Sequence, residues 1–546
     1  MRIRYLLFSL AFVLAVLVGY WLAATAVTRA VPRNIALRPA NPPQPLVVAD
    51  EQTPKPRRTQ RMLTRHPDFE AMLSGALADQ RVLVFKDPVD LARFLDRMGD
   101  HVKLLGKLDA LNALRVGFSD SGDLQALLDG TEQQSLVFPV TAPFPPEGTV
   151  QPGAVPLGGR LLDWLGVNRD NSAWGTGVSI AVLDTGVTAS SSFKTNISTI
   201  NLVELPGDPA SQNGHGTAVA SMIVGDNSTT PGVAPAASVL SIRIADDKGV
   251  SDSFLLAKGI VAAADANVQL INISFGSDGD SALVRNAITY ALDKGILIVA
   301  AAGNNGTNQV SYPAANTGVI AVGAVDALGN HLDFSNSGDT IALAAPGYGL
   351  NAAWTGDQAV SVTGTSFSAP IIVGSIAAIM TAAGNKNLTA TQAYQLLTSY
   401  LNDGGAPGTD PQLGAGMPDI GRVLNRTTPG IYDAAVASTR LIPADAGNPY
   451  GQAEVLIQNR GTETLINTAV KVSIGGGVVT ANITTLAPNA VTTVRVPISQ
   501  APETYATTGL QVDARVVLSG GVKDSKPAND HRVESYVPAG STTTTP

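Results

Sequence analysis

Between residues 178 and 325, apolar runs of strand length alternate with longer runs of helical length, and few folds can hold such an order. Val178–Leu183, Ser238–Ile244, Val268–Ser274, Ile296–Ala301 and Val319–Val325 read as buried strands. Thr217–Val224, Ser253–Ala264 and Ala282–Asp293 read as helices between them. Strands buried on both faces and joined through helices imply a parallel sheet covered on both sides. This α/β body is expected over residues 161–425. Ligand sites on open parallel sheets lie beyond the C-terminal ends of the strands, so those ends are where chemistry is sought.

Two other patterns flank the body. Residues 61–140 read as strand Arg81–Lys86, helix Val89–Met98, strands His101–Lys107 and Ala113–Phe118, helix Asp123–Leu128 and strand Ser135–Val140. That order, βαββαβ, predicts a ferredoxin-like α+β module. A connector over 141–160 follows, holding Pro143, Pro145, Pro146, Pro152 and Pro156 with several glycines, an extended stretch of the kind that proteases nick. After about residue 430 the period falls to two, in Ala453–Gln458, Ala469–Ile474, Val491–Ile498 and Leu510–Leu518. This predicts an all-β sandwich over 430–538, with 539–546 as a disordered tail.

The N-terminus is basic (Arg2, Arg4) and then runs uncharged for 23 residues, Tyr5–Val27. Residues 1–30 therefore read as a targeting segment. Its length allows a membrane anchor, and Ala24-Thr25-Ala26 offers a cleavage site for a signal peptide. No later segment reads as long and apolar enough to span a membrane. Residues 31–60, rich in Pro and Arg, read as a linker. A net charge of −8 argues against nucleic acid as a partner, and the absence of cysteine removes thiolate chemistry and disulfides together.

Four features share the sheet edge. Asp184 ends the strand Val178–Leu183 in an Asp-Thr-Gly turn. His215, one of five histidines, lies between Gly214 and Gly216 at a helix start, where small neighbours allow close approach to the ring. Strand Ile296–Ala301 runs into Gly303-Asn304, which would carry a carboxamide donor to the same edge. Ser366, in Gly364-Thr365-Ser366-Phe367-Ser368-Ala369-Pro370, precedes the apolar run Ile371–Ala383 and so stands where helix N–H groups favour negative charge. Together they supply the nucleophile, base, orienting acid and oxyanion donor of an acyl-transfer site.

The order Asp184, His215, Ser366, spaced 31 and 151 residues apart, in Asp-Thr-Gly, His-Gly-Thr and Gly-Thr-Ser-x-Ser-Ala-Pro segments, resembles the subtilisin family of serine proteases. The resemblance covers about 161–425. It implies Ser366 as nucleophile, His215 as general base, Asp184 as its orienting partner and Asn304 in the oxyanion hole. It further implies Ser274-Phe275-Gly276 and Ala301-Ala302-Gly303 as the walls of the primary specificity cleft, with Ser311-Tyr312-Pro313 at its floor. These stretches carry no charge, so apolar or small P1 side chains are expected. Phe367 and Ile371 depart from commoner Met and His, and are expected to affect packing more than chemistry.

By the same resemblance, residues 61–140 would be an inhibitory, chaperone-like pro-domain removed by self-cleavage within the connector. The last module would be a CARDB-type immunoglobulin-like domain, with Asp433 near its start and Pro527–Asp530 near its end. The implied protein is a secreted or cell-envelope endopeptidase acting on proteins or peptides, touching a membrane only through its N-terminal segment. No cofactor is required on this reading, and calcium, bound by several relatives, has no assigned ligands. The rival reading is a catalytically silent surface-binding protein on a protease scaffold. Asp120-Ser121-Gly122 with Asp184-Thr185-Gly186 also matches the aspartic-protease signature, but 64 residues is too close for paired lobes. An α/β-hydrolase would need another triad order and a G-x-S-x-G turn.

Overall fold

The computed structural model describes residues 68–142, 144–146, 148–195, 197–203, 213–382, 388–445, 447–505 and 509–536. The targeting segment, the linker, the first residues of the small module and the tail lie outside the described residues.

The small module runs α1 (Phe69–Ser74), β1 (Gln80–Phe85), α2 (Pro88–Arg97), β2 (Val102–Leu108), β3 (Ala113–Phe118), α3 (Ser121–Gln125) and β4 (Thr131–Ser135). Its strands form an antiparallel sheet in the order β2-β3-β1-β4. Helix α2 starts where the Asp87 carboxylate accepts from the N–H groups of Val89 and Asp90, with Pro88 preset for the first turn. Asp120 caps α3 in the same way, accepting from Gly122. One sheet face, with Leu83, Phe85 and Leu114, packs on Leu91 and Phe94 of α2. The other face, Val82, Val84, Leu108 and Ala113, joins the core of the body. The expected last strand Ser135–Val140 divides. Its sheet partner is Thr131–Ser135, a polar edge strand without apolar alternation. Pro139–Thr141 (β5) leaves to pair antiparallel with Val250–Asp252 (β9).

The body opens with a short helix, α4 (Leu161–Trp164), and carries seven parallel strands: β6 (Ser179–Asp184), β7 (Ile197–Asn201), β8 (Ser238–Arg243), β10 (Leu270–Ile273), β11 (Leu297–Ala301), β12 (Val319–Val325) and β13 (Ile341–Pro346). Their order is β13-β12-β11-β10-β6-β8-β7. The chain therefore builds outward in opposite directions from β6 and β10, which puts the topological switch point between them. Alternate side chains sort to the two faces. Ile180 and Val182 pack against α5 (His215–Val224) and α8 (Thr365–Ala382). Ala181 and Leu183 pack against α6 (Ser253–Asp265) and α7 (Ala282–Asp293). Helix α8 is 18 residues long with mean hydropathy 1.6, so a later segment does meet the length and composition of a membrane span; it is 89% buried and forms the core. A hairpin, β14 (Leu350–Ala353) with β15 (Ala359–Val362), precedes α8, and helices α9 (Ala390–Thr398) and α10 (Ile420–Asn425) follow it.

The C-terminal strands are β16 (Ala434–Ile442), β17 (Gln452–Asn459), β18 (Leu465–Ile474), β19 (Gly477–Leu486), β20 (Val491–Pro497), β21 (Leu510–Val517) and β22 (His531–Tyr536). They form two antiparallel sheets, β16-β17-β20 and β19-β18-β21-β22, around a common core that includes Val455, Val470 and Val512. Buried polar groups seat this region on the body. Arg422 donates to the Leu401 carbonyl at 2.7 Å and to Asn489 Oδ1 at 2.6 Å, while Gln458 Oε1 accepts from the Asp403 N–H at 3.0 Å. Burial pulls the Arg460 guanidinium down to about 10.

Near this seam, Asp524 Oδ2 accepts from the Ala434 N–H and Asp433 Oδ1 from Asn529. Burial, and then the charge of Asp524, push Asp530 up to about 7. A carboxyl group whose pKa is higher folded than unfolded favours the fold while protonated. Its contribution is full below about pH 4 and is lost as pH rises through 7. Replacing Asp530→Asn, a neutral mimic, should therefore raise Tm by a few degrees at pH 8 and change it little at pH 4, as read by calorimetry of an inactive chain.

Candidate functional site

Asp184 is the last residue of β6 and is fully buried. Its Oδ1 lies 2.8 Å from His215 Nδ1 and also accepts from the Thr185 N–H at 2.7 Å. Asp184 Oδ2, also buried, has no hydrogen-bond partner among the described residues. This close meeting depends on absent side chains. A Cβ on Gly216 would stand 2.4 Å from the Gly186 carbonyl oxygen and 3.1 Å from Asp184 Oδ1. One on Gly214 would strike the indole of Trp354 at 2.2 Å. With Nδ1 engaged by the carboxylate, the far imidazole nitrogen is left for proton transfer.

Ser366 lies in the first turn of α8, and Pro370 explains how it is held. Proline has no N–H, so the Ser366 carbonyl loses its ordinary donor four residues on. Ser274 Oγ donates to that carbonyl instead, at 2.7 Å, and Asn272 Nδ2 donates to Ser274 Oγ at 2.9 Å. In return, Ser366 Oγ donates to the Ser274 carbonyl at 3.2 Å. That last bond must be exchanged for one to His215 before a proton can move between them. Asn304 is fixed through its Oδ1, which accepts from both the N–H and the hydroxyl of Thr365 at 2.9 Å. Its Nδ2 is thereby turned toward Gly364, 3.1 Å from where a side chain there would begin.

Beside Ser366 is a cavity of 320 Å³, lined by Ser274, Phe275, Gly276, Ala301, Gly303 and Asn304 with Ser311 and Thr365. Ala302 is fully buried and does not line it. Gly303 has φ 110°, and a Cβ there would meet Asn336 Nδ2 at 2.3 Å and Ser311 Oγ at 2.5 Å. Asn336 donates to the Ala302 carbonyl and to Ser311 Oγ, both at 3.2 Å, and accepts from Asn305 at 3.0 Å. The carboxylate of Asp278, an exposed residue, also lines the cavity. For calcium, no group of three or more carboxylate or imidazole side chains among the described residues could hold a metal ion.

Sequence comparison puts this geometry in context. The Subtilase family profile, Peptidase S8, matches residues 175–416. Subtilisin BL of Lederbergia lenta is 36% identical over 211 residues, covering 38% of this chain and 77% of that protein. The chain belongs to the subtilase family. The thermostable alkaline protease of Halalkalibacterium halodurans is 36% identical over 208 residues, covering 38% of this chain and 57% of that protein, so the match spans just over half of that relative. A solved structure of a mutant of the protease domain of PatA is 30% identical, covers 46% of this chain and 95% of that one, and has a TM-score of 0.42.

In this subtilase the cleft is filled by its own chain. Thr141 and Gly276 exchange two backbone bonds, N–H to carbonyl, of 2.9 and 2.8 Å. With β5 paired to β9, residues 139–141 form the middle strand between Val250–Asp252 and Gly276. The connector is thus not a loose tether at its start. Further on, the N–H groups of Leu157 and Gly158 bond the carbonyls of Tyr348 and Gly349. Sequence reading missed this occupant, together with Asn272 and Asn336. Asn272 interrupts the apolar strand Leu270–Ile273, which was its one available signal, while Asn336 lies in the small-residue loop Ser335–Gly338 and carried none. The buried ring of Phe367 lies 5.4 Å from that of His215.

The reciprocal Ser274–Ser366 contact makes a test. Ser274→Ala leaves the Ser366 carbonyl buried without a donor, and should cost about 1–3 kcal/mol. Urea unfolding, comparing Ser366→Ala with Ser366→Ala/Ser274→Ala to avoid autolysis, measures it.

Proposed function

We propose that this protein is a serine endopeptidase that hydrolyses peptide bonds of proteins through an acyl-enzyme. The observation that carries the reading is the 2.8 Å contact between fully buried Asp184 and His215, at the sheet edge that also holds Ser366 and Asn304. Ser366 Oγ attacks the scissile carbonyl while His215 takes its proton. Asp184 keeps the imidazole in the required tautomer and stabilises its charged form. The Asn304 carboxamide and the Ser366 N–H, at the positive end of α8, stabilise the developing oxyanion. His215 then protonates the leaving amine, and water, deprotonated by His215, releases the acyl group from Ser366. No step is routed through a metal.

The remaining assignments extend the same reading. Residues 61–140 act as an inhibitory pro-domain that assists folding, and self-cleavage in the connector, residues 141–160, separates it from the catalytic domain. Support comes from the apolar sheet face buried against α6 and α7, from the ion pair of Arg115 with Asp252 at 2.8 Å, and from the strand lying in the cleft. The 23-residue uncharged run supports export to the cell envelope or beyond, with anchoring as the alternative to cleavage. The C-terminal sandwich is read as CARDB-like, a stabilising or surface-binding appendage. Exposure leaves the Asp278 carboxylate screened by solvent, so apolar or small P1 side chains are preferred.

The test compares wild type with Ser366→Ala. Wild type should shorten itself, react irreversibly with a sulfonyl fluoride at Ser366 and degrade unfolded casein, and the variant should do none of these. Equal processing in both, with no casein degraded by either, would favour a silent binding scaffold. Asn304→Ala should keep self-association of the strand in the cleft but lower kcat by about 10²–10³-fold, the size known for such a donor within this family. On peptide substrates, Phe or Leu at P1 should exceed Arg or Lys in kcat/KM; a profile led by Arg or Lys overturns the cleft assignment.

A further inference from the structure

The turn that joins β14 to β15 meets the chain beside each of the three residues Asp184, His215 and Ser366. On the His215 side, the indole of Trp354 lies over Gly214, and a Cβ there would stand 2.2, 2.4 and 2.6 Å from three of its ring atoms. On the Ser366 side, β15 ends at Val362, and only Thr363 and Gly364 separate it from α8. On the Asp184 side, the Asp357 carboxylate reaches the loop that follows β6. Its Oδ1 accepts from the Ser191 N–H and the Ser191 hydroxyl, both at 2.8 Å, and from the Ser190 hydroxyl at 3.0 Å.

The turn is closed by the Trp354 N–H, which donates to the Gln358 carbonyl at 2.8 Å. Inside it, Gly356 has φ 68° and Asp357 φ 59°. Left-handed backbone is costly for most side chains, and aspartate is one of the few that visit it readily. Asp357 is exposed, so burial does not hold it in place. Its three hydrogen bonds do. The same donors, with the Ser191 N–H foremost, keep its carboxyl below the ordinary carboxylate value. It is therefore a charged acceptor wherever a neutral imidazole can act as a base.

His215 needs such support because Ser366 does not yet supply any. Ser366 Oγ is bonded to the Ser274 carbonyl. The imidazole is held at Nδ1 by Asp184 and bordered by the rings of Phe275 and Phe367, joined in the uncut chain by Phe144. These contacts limit tilt, whereas the backbone of Gly214 and His215 sets how far the ring reaches toward Ser366. Glycine has the most backbone freedom to lose, and Trp354 covers this one. We propose that Asp357 is a positioning residue that fixes the turn to the loop after Asp184, holds Trp354 on Gly214 and so sets the reach of the imidazole toward Ser366. Release of the tie moves only the turn, because the Ala353 N–H still bonds Ser221 Oγ of α5 at 3.1 Å. The proposal rests on Asp184, His215 and Ser366 acting together as proposed above, and adds a residue that works through Trp354.

The experiment uses the self-processed enzyme and one internally quenched peptide, with active enzyme counted by sulfonyl fluoride labelling of Ser366. Asp357→Gly suits the left-handed backbone but removes the acceptor. It should lower kcat by about 3- to 30-fold and leave KM within about twofold, the mark of a small misplacement. Asp357→Asn keeps an acceptor oxygen and the tolerance of that backbone, and should restore both constants to within about twofold of wild type. Trp354→Leu should lower kcat to a similar extent, and adding Asp357→Gly to it should lower it no further, since both act on one contact. An unchanged kcat in Asp357→Gly overturns the proposal, as does an equal loss in Asp357→Asn. So do losses that multiply in the double variant. Should the glycine variant not accumulate, Ser190→Ala/Ser191→Ala removes two of the three donors, and an unchanged kcat there overturns the proposal equally. In each of those cases wild type still cuts the peptide and is labelled at Ser366, so the protease reading stands. If wild type does neither, both fall together.

Discussion

Parallel pairing of β6 with β10, in a register that sets Leu183 opposite Ile273, is the constraint on which the site depends. Side chains alternate across a strand, so a slip of one residue would exchange the faces of every strand residue and send the core of α5 and α8 toward α6 and α7. The same register ends both strands at one level. Asp184 then closes β6, Ser274 follows β10, and the turn after β11 brings Gly303 and Asn304 alongside. Because β6 and β10 feed opposite halves of the sheet, the crevice between them is free of a crossing connection at its C-terminal end. The helices α5 and α8, packed on the same face, carry His215 and Ser366 into that crevice.

What the sheet brings near, missing atoms bring into contact. The absent side chains of Gly216 and Gly303 let a backbone approach at distances no Cβ would tolerate. The absent N–H of Pro370 has the opposite effect, freeing a carbonyl that Ser274 then claims. Interior proline in a helix costs about 3 kcal/mol, and here the exposed deficit is filled from a neighbouring strand. The result ties the Ser366 backbone to the wall of the adjoining cavity. Asn272 extends the tie into the buried strand at the centre of the sheet.

The alternation of strands and helices, the triad order and the turn residues were legible in the sequence because each rests on local pattern or on spacing. Val319–Val325 and Ala282–Asp293 agree with the structure at both ends for that reason. Strands without apolar alternation were not legible. Thr131–Ser135 has only polar residues, and Gly477–Leu486 is mostly exposed, so neither carries a burial signal. Ile197–Asn201 is an edge strand with three exposed residues. The helix at Thr365–Ala382 was found, yet its fitness as a membrane span was missed because its start is made of small polar residues. Contacts between distant segments were beyond sequence reading altogether. Nothing in the letters around Phe144 announces that it will lie on His215, since the contact depends on β5 leaving one sheet to join β9.

That departure has an energetic consequence for how the cleft is emptied. A strand held only by its backbone bonds in a cleft exchanges with solvent easily, because each such bond contributes about 0.5–1.5 kcal/mol net. Here the strand is continuous with a module whose sheet face is buried on α6 and α7, and whose Arg115 reaches the Asp252 carboxylate that caps α6. Gly106 lies flat against the ring of Phe254, where any side chain would have to push the ring aside. Tethering of this kind keeps the strand at a high effective concentration, so a cut in the connector would not by itself empty the cleft. Departure requires the apolar face, the capping ion pair and the strand pairing to open together. The hold on the cleft strand is therefore set largely by an interface outside the cleft.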